Sequence, residues 1–374
     1  MSIGERNCYD ANTVNPDAYR HLDAYVNNFS KTSSVSSELL WGDPKQIPAP
    51  WLSVIIPTFN RCELLQEALE SALWQEPVRF SWEIIVVDNT PLDENGVTPA
   101  LGMIEALGAS RILYYHNREN IGSGYNWNRG AELARGIWIS FLHDDDLLYR
   151  DALRNIERII LRKSRLKKPL GYIQARFDEF SSPEDRVHMV RKDKHYLLEL
   201  TRFGTLITYY TRTGIPTCGT TILKRAYLEA GGINYDFGPT ADAVLGYQIM
   251  RRYTVLLSDR TLGAYRWGSN ETLKRETSQK LVYADYLLAE YCRRQSPFSR
   301  AWGKWFGQTQ HNRNIEVKLR NVNRLGTCAT VKDFRVPIPY KKTSGFNLLF
   351  LRIFSRLYRE SCRCKARWKA FWKI

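Results

Sequence analysis

Residues 123–148 read SGYNWNRGAELARGIWISFLHDDDLL, and the changes of pattern inside them decide the fold. Ser123–Arg135 reads as a helix. Ile137–Leu142 (IWISFL) is apolar at nearly every position, as a strand covered on both faces must be. The run stops at three aspartates, Asp144, Asp145 and Asp146. Working back along the chain, the same unit recurs. Leu52–Ile56 (LSVII) is a β-branched run that leads into Pro57–Arg61. Leu64, Leu65, Ala68, Leu69, Ala72 and Leu73 then recur at helical spacing. Glu83–Val87 (EIIVV) ends at Asp88, and Arg111–Tyr115 (RILYY) makes a third strand. Apolar strands separated by helices predict an α/β fold with a mostly parallel central sheet and helices on both faces. A helical region is expected to follow at the C-terminal end.

In such sheets ligands lie at the carboxyl ends of the strands. Three strands here end in polar clusters: PTFNR after the first, Asp88-Asn89 after the second, and Asp144–Asp146 after IWISFL. Residues i and i+2 of an extended chain share a side. That spacing predicts Asp144 and Asp146 on one cation, with Asp145 pointing elsewhere. Oxygen ligands of this kind suit Mn²⁺ or Mg²⁺, which take their remaining ligands from substrate phosphates. The plainer alternative is a turn whose aspartates cap a helix. His143, alone beside a strand end, reads as a packing residue rather than a ligand. Asp88 is placed either to accept from a nucleobase N–H or to stabilise its own turn. No G-x-x-x-x-G-K-[ST] occurs, and GSGYNWNRG does not fit G-x-G-x-x-G. Phosphate-loop hydrolysis is therefore excluded, and hydride transfer is poorly supported.

The chain has 374 residues, and its 54 Lys+Arg against 39 Asp+Glu leave a formal charge of +15. The excess is concentrated: residues 341–374 hold ten Lys/Arg and one Glu. There Phe346, Leu349, Phe350, Ile353 and Leu357 form an apolar stripe beside Arg352, Arg356, Arg359, Arg363 and Arg367. Apolar and basic faces on one helix fit the interface of an anionic membrane. Seven scattered cysteines without a C-x-x-C pair read as reduced thiols. The opening MSIGERNCYDANTVN has no signal-peptide core, and no apolar run approaches the ~18 residues of a membrane span. A cytoplasmic protein, peripheral at the inner face of the cell membrane, is expected. Asp17–Phe29 is helix-like, and Pro44–Pro50 (PKQIPAP) reads as a linker.

The stretches LSVIIPTFNRCELLQEALESALWQ, EIIVVDN, NIGSGYNWNRGAELARGIWISFLHDDD and GTTILKRAYLEAGGIN together resemble the family 2 glycosyltransferases. The likeness extends to the bacterial enzymes of O-antigen and capsule synthesis. It covers roughly residues 51–270 and implies a GT-A fold. The implied activity is transfer of a sugar from a UDP-sugar donor, with inversion, to a hydroxyl of a saccharide acceptor linked to a lipid diphosphate. By match to the family's motifs, Pro57, Thr58, Asn60 and Arg61 belong to the first nucleotide-binding loop. Asp88 matches the base-contacting carboxylate. Asn120, Gly122 and Asn128 match the segment that packs on the nucleotide. Asp144 and Asp145 match the ribose side of the D-x-D element, and Asp146 its metal ligand. Trp127 stands where many members carry a basic residue, which leaves Arg129 or Arg266 as candidate cations for the diphosphate. Asp242 in GPTADAVLGYQIM matches the acidic residue that opens a helix and serves as general base; it can cap that helix as well. Residues 264–276 resemble a mobile loop, with Arg266 and Asn270 closing over the donor.

The expected organisation is an N-terminal extension and linker (1–50), a catalytic domain (51–275), a helical extension (276–340) and the amphipathic helix (341–374). A nucleic-acid-binding protein using the basic tail would leave Asp88 and Asp144–Asp146 unexplained and lacks a recognisable module, so no nucleic-acid partner is expected. A sugar-nucleotide nucleotidyltransferase shares the sheet but opens on a glycine- and arginine-rich loop, where PTFNR stands here.

Overall fold

The computed structural model describes residues 14–161, 166, 168–181, 197–200, 219–268, 274–294, 297–324, 329–331, 344–350, 353 and 357. One sheet organises them. Its strands are β1 (Ser37–Trp41), β2 (Leu52–Thr58), β3 (Trp82–Asp88), β4 (Ile112–Asn117), β5 (Trp138–Phe141), β6 (Leu147–Leu148), β7 (Leu170–Phe180), β8 (Leu197–Leu200), β9 (Thr221–Leu223) and β10 (Thr254–Arg266). Their order is β1-β4-β3-β2-β5-β9-β7-β10-β6, and β8 pairs with β10. The block β4-β3-β2-β5 is parallel, as is the β7–β10 pair, whereas β1, β6, β8 and β9 run antiparallel to their neighbours. The helices are α1 (Pro16–Arg20), α2 (Cys62–Leu73), α3 (Pro99–Leu107), α4 (Ser123–Leu133), α5 (Ala152–Leu161), α6 (Lys224–Glu229), α7 (Ala241–Ile249), α8 (Arg275–Arg294) and α9 (Pro297–Arg324).

The strands of the parallel block are mostly apolar because both of their faces are covered. Leu52, Val54, Ile56, Ile84 and Val86 pack under α2, α3 and α5. The alternate residues Ile55, Ile85, Val87, Ile139 and Phe141 pack with residues of α4, α6, α7 and α8. Each fully buried Val, Ile or Leu contributes about 1.5–3 kcal/mol, so two such layers fix the register of the parallel block. Helix α3 shows the local rules in full. Thr98 accepts the Leu101 N–H at 3.1 Å, Pro99 opens the helix, and Gly108 closes it in the left-handed region. Polar residues then cluster where β2, β3, β4 and β5 end.

The N-terminal segment corrects the expectation of an extension joined by a linker. From residue 14 it is part of the body: β1 pairs antiparallel with β4, and Pro44–Gln46 is a turn of 3₁₀ helix. The helix expected over Asp17–Phe29 is confined to Pro16–Arg20. Beyond it the chain lies across α7, where Leu22 is buried and its carbonyl accepts Gln248 Nε2 at 3.1 Å. Past the sheet, α8 and α9 form the expected helical region and pack on each other through Val282 and Ile315. Among the described residues no helix is long and apolar enough to cross a membrane. Phe346, Leu349, Phe350, Ile353 and Leu357 are exposed on helical backbone, with Phe346 at 73% and Leu357 at 63%. The arginines of that stripe, and Asn270, lie outside the described residues.

Candidate active site

At the end of β2 the chain turns through Phe59 and Asn60, and Asn60 takes a left-handed φ of +53°. Asn tolerates that region better than other side chains do. Its N–H donates to Thr90 Oγ1 at 2.8 Å, joining the ends of β2 and β3. Pro57 lies partly buried just ahead of this turn, and Phe59 is exposed on it. Thr58 Oγ1 donates to Asp144 Oδ2 at 2.9 Å. Arg61 reaches Asp144 Oδ1 at 3.3 Å and Asp145 Oδ2 at 3.2 Å while its side chain stays 39% exposed. Arg61 therefore joins the buried carboxylates to the open surface.

Asp144–Asp146 is a turn, not extended chain: the Asp146 N–H donates to the His143 carbonyl at 3.2 Å. The two-residue alternation expected to bring Asp144 and Asp146 to one side is thereby lost. Asp144 is drawn to Thr58 and Arg61. His143, Asp145 and Asp146 instead each offer a ligand atom within 4.8 Å of one another. Burial, the largest effect, and the Asp145 charge push the Asp144 carboxyl up to about 6, against the opposing pull of Arg61. Burial also lowers the His143 imidazole below its ordinary value, which favours the neutral form that can offer a lone pair. One imidazole nitrogen and two carboxylate oxygens at this spacing fit a divalent cation of the Mn²⁺ or Mg²⁺ type. Sequence reasoning passed over His143 because a single His beside a strand carries no pattern. Trp127 stacks on Phe141 with centroids 4.9 Å apart and meets His143 edge-on at 4.9 Å, so it packs behind this cluster.

On the β3–β4 side, several residues matched to nucleotide binding hold the framework instead. Asp88 is fully buried; it accepts the Thr90 N–H at 2.7 Å and the Tyr114 hydroxyl at 2.7 Å. It stabilises its own turn, the alternative its sequence position allowed, and its carboxylate has no exposed edge for a base. Asn128 is likewise enclosed: it bonds both the N–H and the carbonyl of Ile233, and Tyr227 donates to it at 2.6 Å. It ties α4 to the loop after α6 and does not reach the surface. Asn120 is exposed, and its Oδ1 accepts the Gly122 N–H at 2.8 Å. Gly122 opens α4 with φ +83°, a backbone angle that favours glycine. Beneath them, Asn117 Nδ2 donates to Asn89 at 2.8 Å and Asn126 at 2.9 Å, while Asn126 donates to the Val87 carbonyl at 2.9 Å. This asparagine network fixes the strand ends against α4. Its only trace in sequence is the recurrence of Asn at the ends of elements.

The two arginines expected to replace a missing cation are engaged elsewhere. Arg129 is buried and donates to Ser37 Oγ and the Thr32 carbonyl. Arg266 donates through its backbone N–H to Asp146 Oδ1 at 2.9 Å and through Nε to the Asp145 carbonyl at 2.8 Å. Its guanidinium also pairs with Glu67 at 3.0 Å and lies 4.6 Å from the centre of the Phe180 ring. Arg266 therefore braces the aspartate turn and is not positioned as a free cation.

Asp242 lies in the first turn of α7 and accepts the Ala243 N–H at 2.7 Å. Burial first, then the Asp285 charge, push its carboxyl up to about 7, with backbone N–H bonds opposing. It nevertheless keeps part of its surface accessible. A carboxylate poised near neutrality suits proton transfer. The loop ahead of α7 is pressed onto the start of α4: a Cβ on Gly124 would lie 1.3 Å from the Tyr235 ring. Glycine is required there for that approach, which joins the Asp242 side of the molecule to the strand-end side.

Residues 53–232 match the model described as Glycosyl transferase family 2. The chain is 25% identical over 232 residues to an uncharacterized glycosyltransferase of Rickettsia felis, covering 62% of this chain and 36% of that one. It is 36% identical over 110 residues to the succinoglycan biosynthesis protein ExoO of Rhizobium meliloti, covering 29% and 32%. The chain thus spans about a third of the length of these curated relatives. Among solved structures, the mannosyltransferase PcManGT of Pyrobaculum calidifontis, in complex with GDP-Man and Mn²⁺, aligns with TM-score 0.48 at 14% identity, covering 87% and 86%. Residues 1–349 of S. aureus TarS with UDP-GlcNAc align with TM-score 0.45 at 18% identity, covering 73% and 82%.

Proposed function

From its family 2 glycosyltransferase domain, we propose that this chain moves a sugar from a UDP-sugar donor to a hydroxyl of a saccharide acceptor, inverting the anomeric centre. The convergence of Thr58, Arg61 and the Asp144–Asp146 turn at the ends of β2 and β5 carries this reading. The nucleoside sits over Pro57–Asn60, with the exposed Phe59 ring as its apolar platform. Arg61 faces the diphosphate. His143, Asp145 and Asp146 would hold a divalent cation, which would supply positive charge to stabilise the departing diphosphate. Asp242 takes the proton of the attacking hydroxyl, a task its carboxyl value near 7 suits.

The name of the succinoglycan relative points to surface polysaccharide as the acceptor class. The exposed stripe Phe346, Leu349, Phe350, Ile353 and Leu357, in a tail of ten Lys/Arg and one Glu, supports docking on an anionic membrane. That in turn supports a lipid-diphosphate-linked saccharide as acceptor and a location at the inner face of the cell membrane.

The donor reading is tested by nucleotide release from a panel of nucleotide-sugars, with Mn²⁺ and with chelator. Metal-dependent release from a UDP-sugar is expected; release confined to another nucleotide, or none with any, rejects it. Truncation after Lys342 is expected to abolish sedimentation with phosphatidylserine vesicles, and full retention by the shortened chain rejects the membrane role.

A further inference from the structure

Arg266 ends β10, a strand beyond the matched span 53–232, yet it meets the aspartate turn 120 positions earlier in the chain. The sheet brings it there. β10 pairs antiparallel with β6, Ala264 opposite Leu147 and Gly263 opposite Leu148, directly after the turn. The Tyr149 N–H donates to the Leu262 carbonyl at 2.9 Å, and Leu147, Phe180 and Ala264 are buried together. Two bonds then join Arg266 to the turn: its backbone N–H to Asp146 Oδ1 at 2.9 Å and its Nε to the Asp145 carbonyl at 2.8 Å. The side chain is only 12% exposed, held by Glu67 at 3.0 Å and by the Phe180 ring. Glu67 lies on α2, where Ser71, one turn further on, accepts the Leu148 N–H at 3.1 Å.

Charge and geometry make opposite demands of this arginine. Asp145 and Asp146 are two of the three groups placed to hold a cation, and a guanidinium beside them repels one. Glu67 offsets part of that charge. The same side chain fixes the main chain that carries the ligands, and its backbone N–H orients the Asp146 carboxylate. Loss of such outer bonds typically weakens metal binding by roughly 10- to 100-fold. Asp146 is fully buried and Asp145 nearly so, so little solvent is at hand to replace a lost bond.

We propose that Arg266 is a positioning residue for the divalent cation: it holds the Asp145–Asp146 turn in the shape that presents the ligand atoms, and this outweighs the repulsion of its charge. The proposal rests on the reading of His143, Asp145 and Asp146 as the cation site. It gives the end of β10 a part in that site, in place of the diphosphate contact expected from sequence.

The test follows Mn²⁺ binding to the full chain through the paramagnetic resonance signal of the free ion, with UDP present and absent, and reads no turnover. R266M keeps the backbone bond to Asp146 and removes both the side-chain bond and the positive charge. Charge alone would tighten Mn²⁺ binding; positioning is expected to raise its Kd by roughly 10- to 100-fold in the folded protein. R266K keeps the charge without the planar fork, and its Kd should rise as well. A Kd at or below the wild-type value in either folded variant overturns the proposal. That holds even where the melting temperature has dropped, since a drop with unchanged Kd is the mark of a structural brace. If R266M does not fold, R266K decides by the same criterion. The cation reading fails separately: wild type that takes up no Mn²⁺ in either condition, or D146N that binds it like the wild type, rejects the site, and the proposal falls with it.

Discussion

The two halves of the proposed site are built on opposite plans. The proposed donor half consists of strand ends: Thr58, Arg61 and the aspartate turn lie within one stretch of 53–232 and are tied by short bonds across adjacent strands. The proposed acceptor half, around Asp242, is assembled from a distance. Tyr19 and Phe237, joined by one hydrogen bond just ahead of α7, are 218 positions apart. A site made of strand ends comes with the sheet.

The largest expected effect separates the halves. D242N is expected to lower turnover by about 10²–10⁴-fold, the range of general-base catalysis, with donor KM unchanged. With Asp242 as the proposed base, wild-type turnover should be lost as pH falls through about 7, and D242N should abolish that limb. Loss of donor binding in D242N would merge the two halves into one. In the donor half, R61A is expected to raise donor KM by roughly 10- to 150-fold, since charge-assisted hydrogen bonds are worth about 1.5–3 kcal/mol. An unchanged donor KM would place the diphosphate elsewhere.

The parallel block was legible because its residues obey one rule: β2, β3, β4 and β5 are covered on both faces and are mostly apolar up to their polar carboxyl ends. The clustering of polar residues at their ends was legible for the same reason. The partner of each side chain was not. Asn128 and Asp88 are the residue types a nucleotide would want, and the same donors and acceptors serve equally well to bind Ile233, Thr90 or Tyr114. Asp144 and Asp146 were assigned to one cation by an extended-chain rule that a single hydrogen bond, Asp146 N–H to the His143 carbonyl, sets aside. Tyr19 had no local signal at all, because its contact with Phe237 lies across the fold.

The framework residues give a smaller effect of a different kind. N128A removes a group that bonds Ile233 twice and Tyr227 once, all of them buried. The unfolding free energy is expected to fall by about 1–3 kcal/mol, the cost of leaving buried polar groups without partners. Donor KM in the folded fraction should hold. A raised KM at unchanged stability would return Asn128 to the nucleotide and move the boundary between donor half and framework.

The smallest effect probes that boundary at its exposed end. Asn120 accepts the Gly122 N–H at 2.8 Å and lies at the surface, so N120A should cost at most about 1 kcal/mol, the net worth of an exposed turn bond. Gly122 gives the stronger control: at φ +83°, G122A is expected to cost about 1–2 kcal/mol through the strained backbone. If Asn120 only shapes this turn, donor KM in N120A moves less than in G122A. If it contacts the nucleotide, the order reverses: N120A raises KM with little loss of melting temperature. The sign of that comparison decides whether the entry to α4 belongs to the donor pocket or to its support.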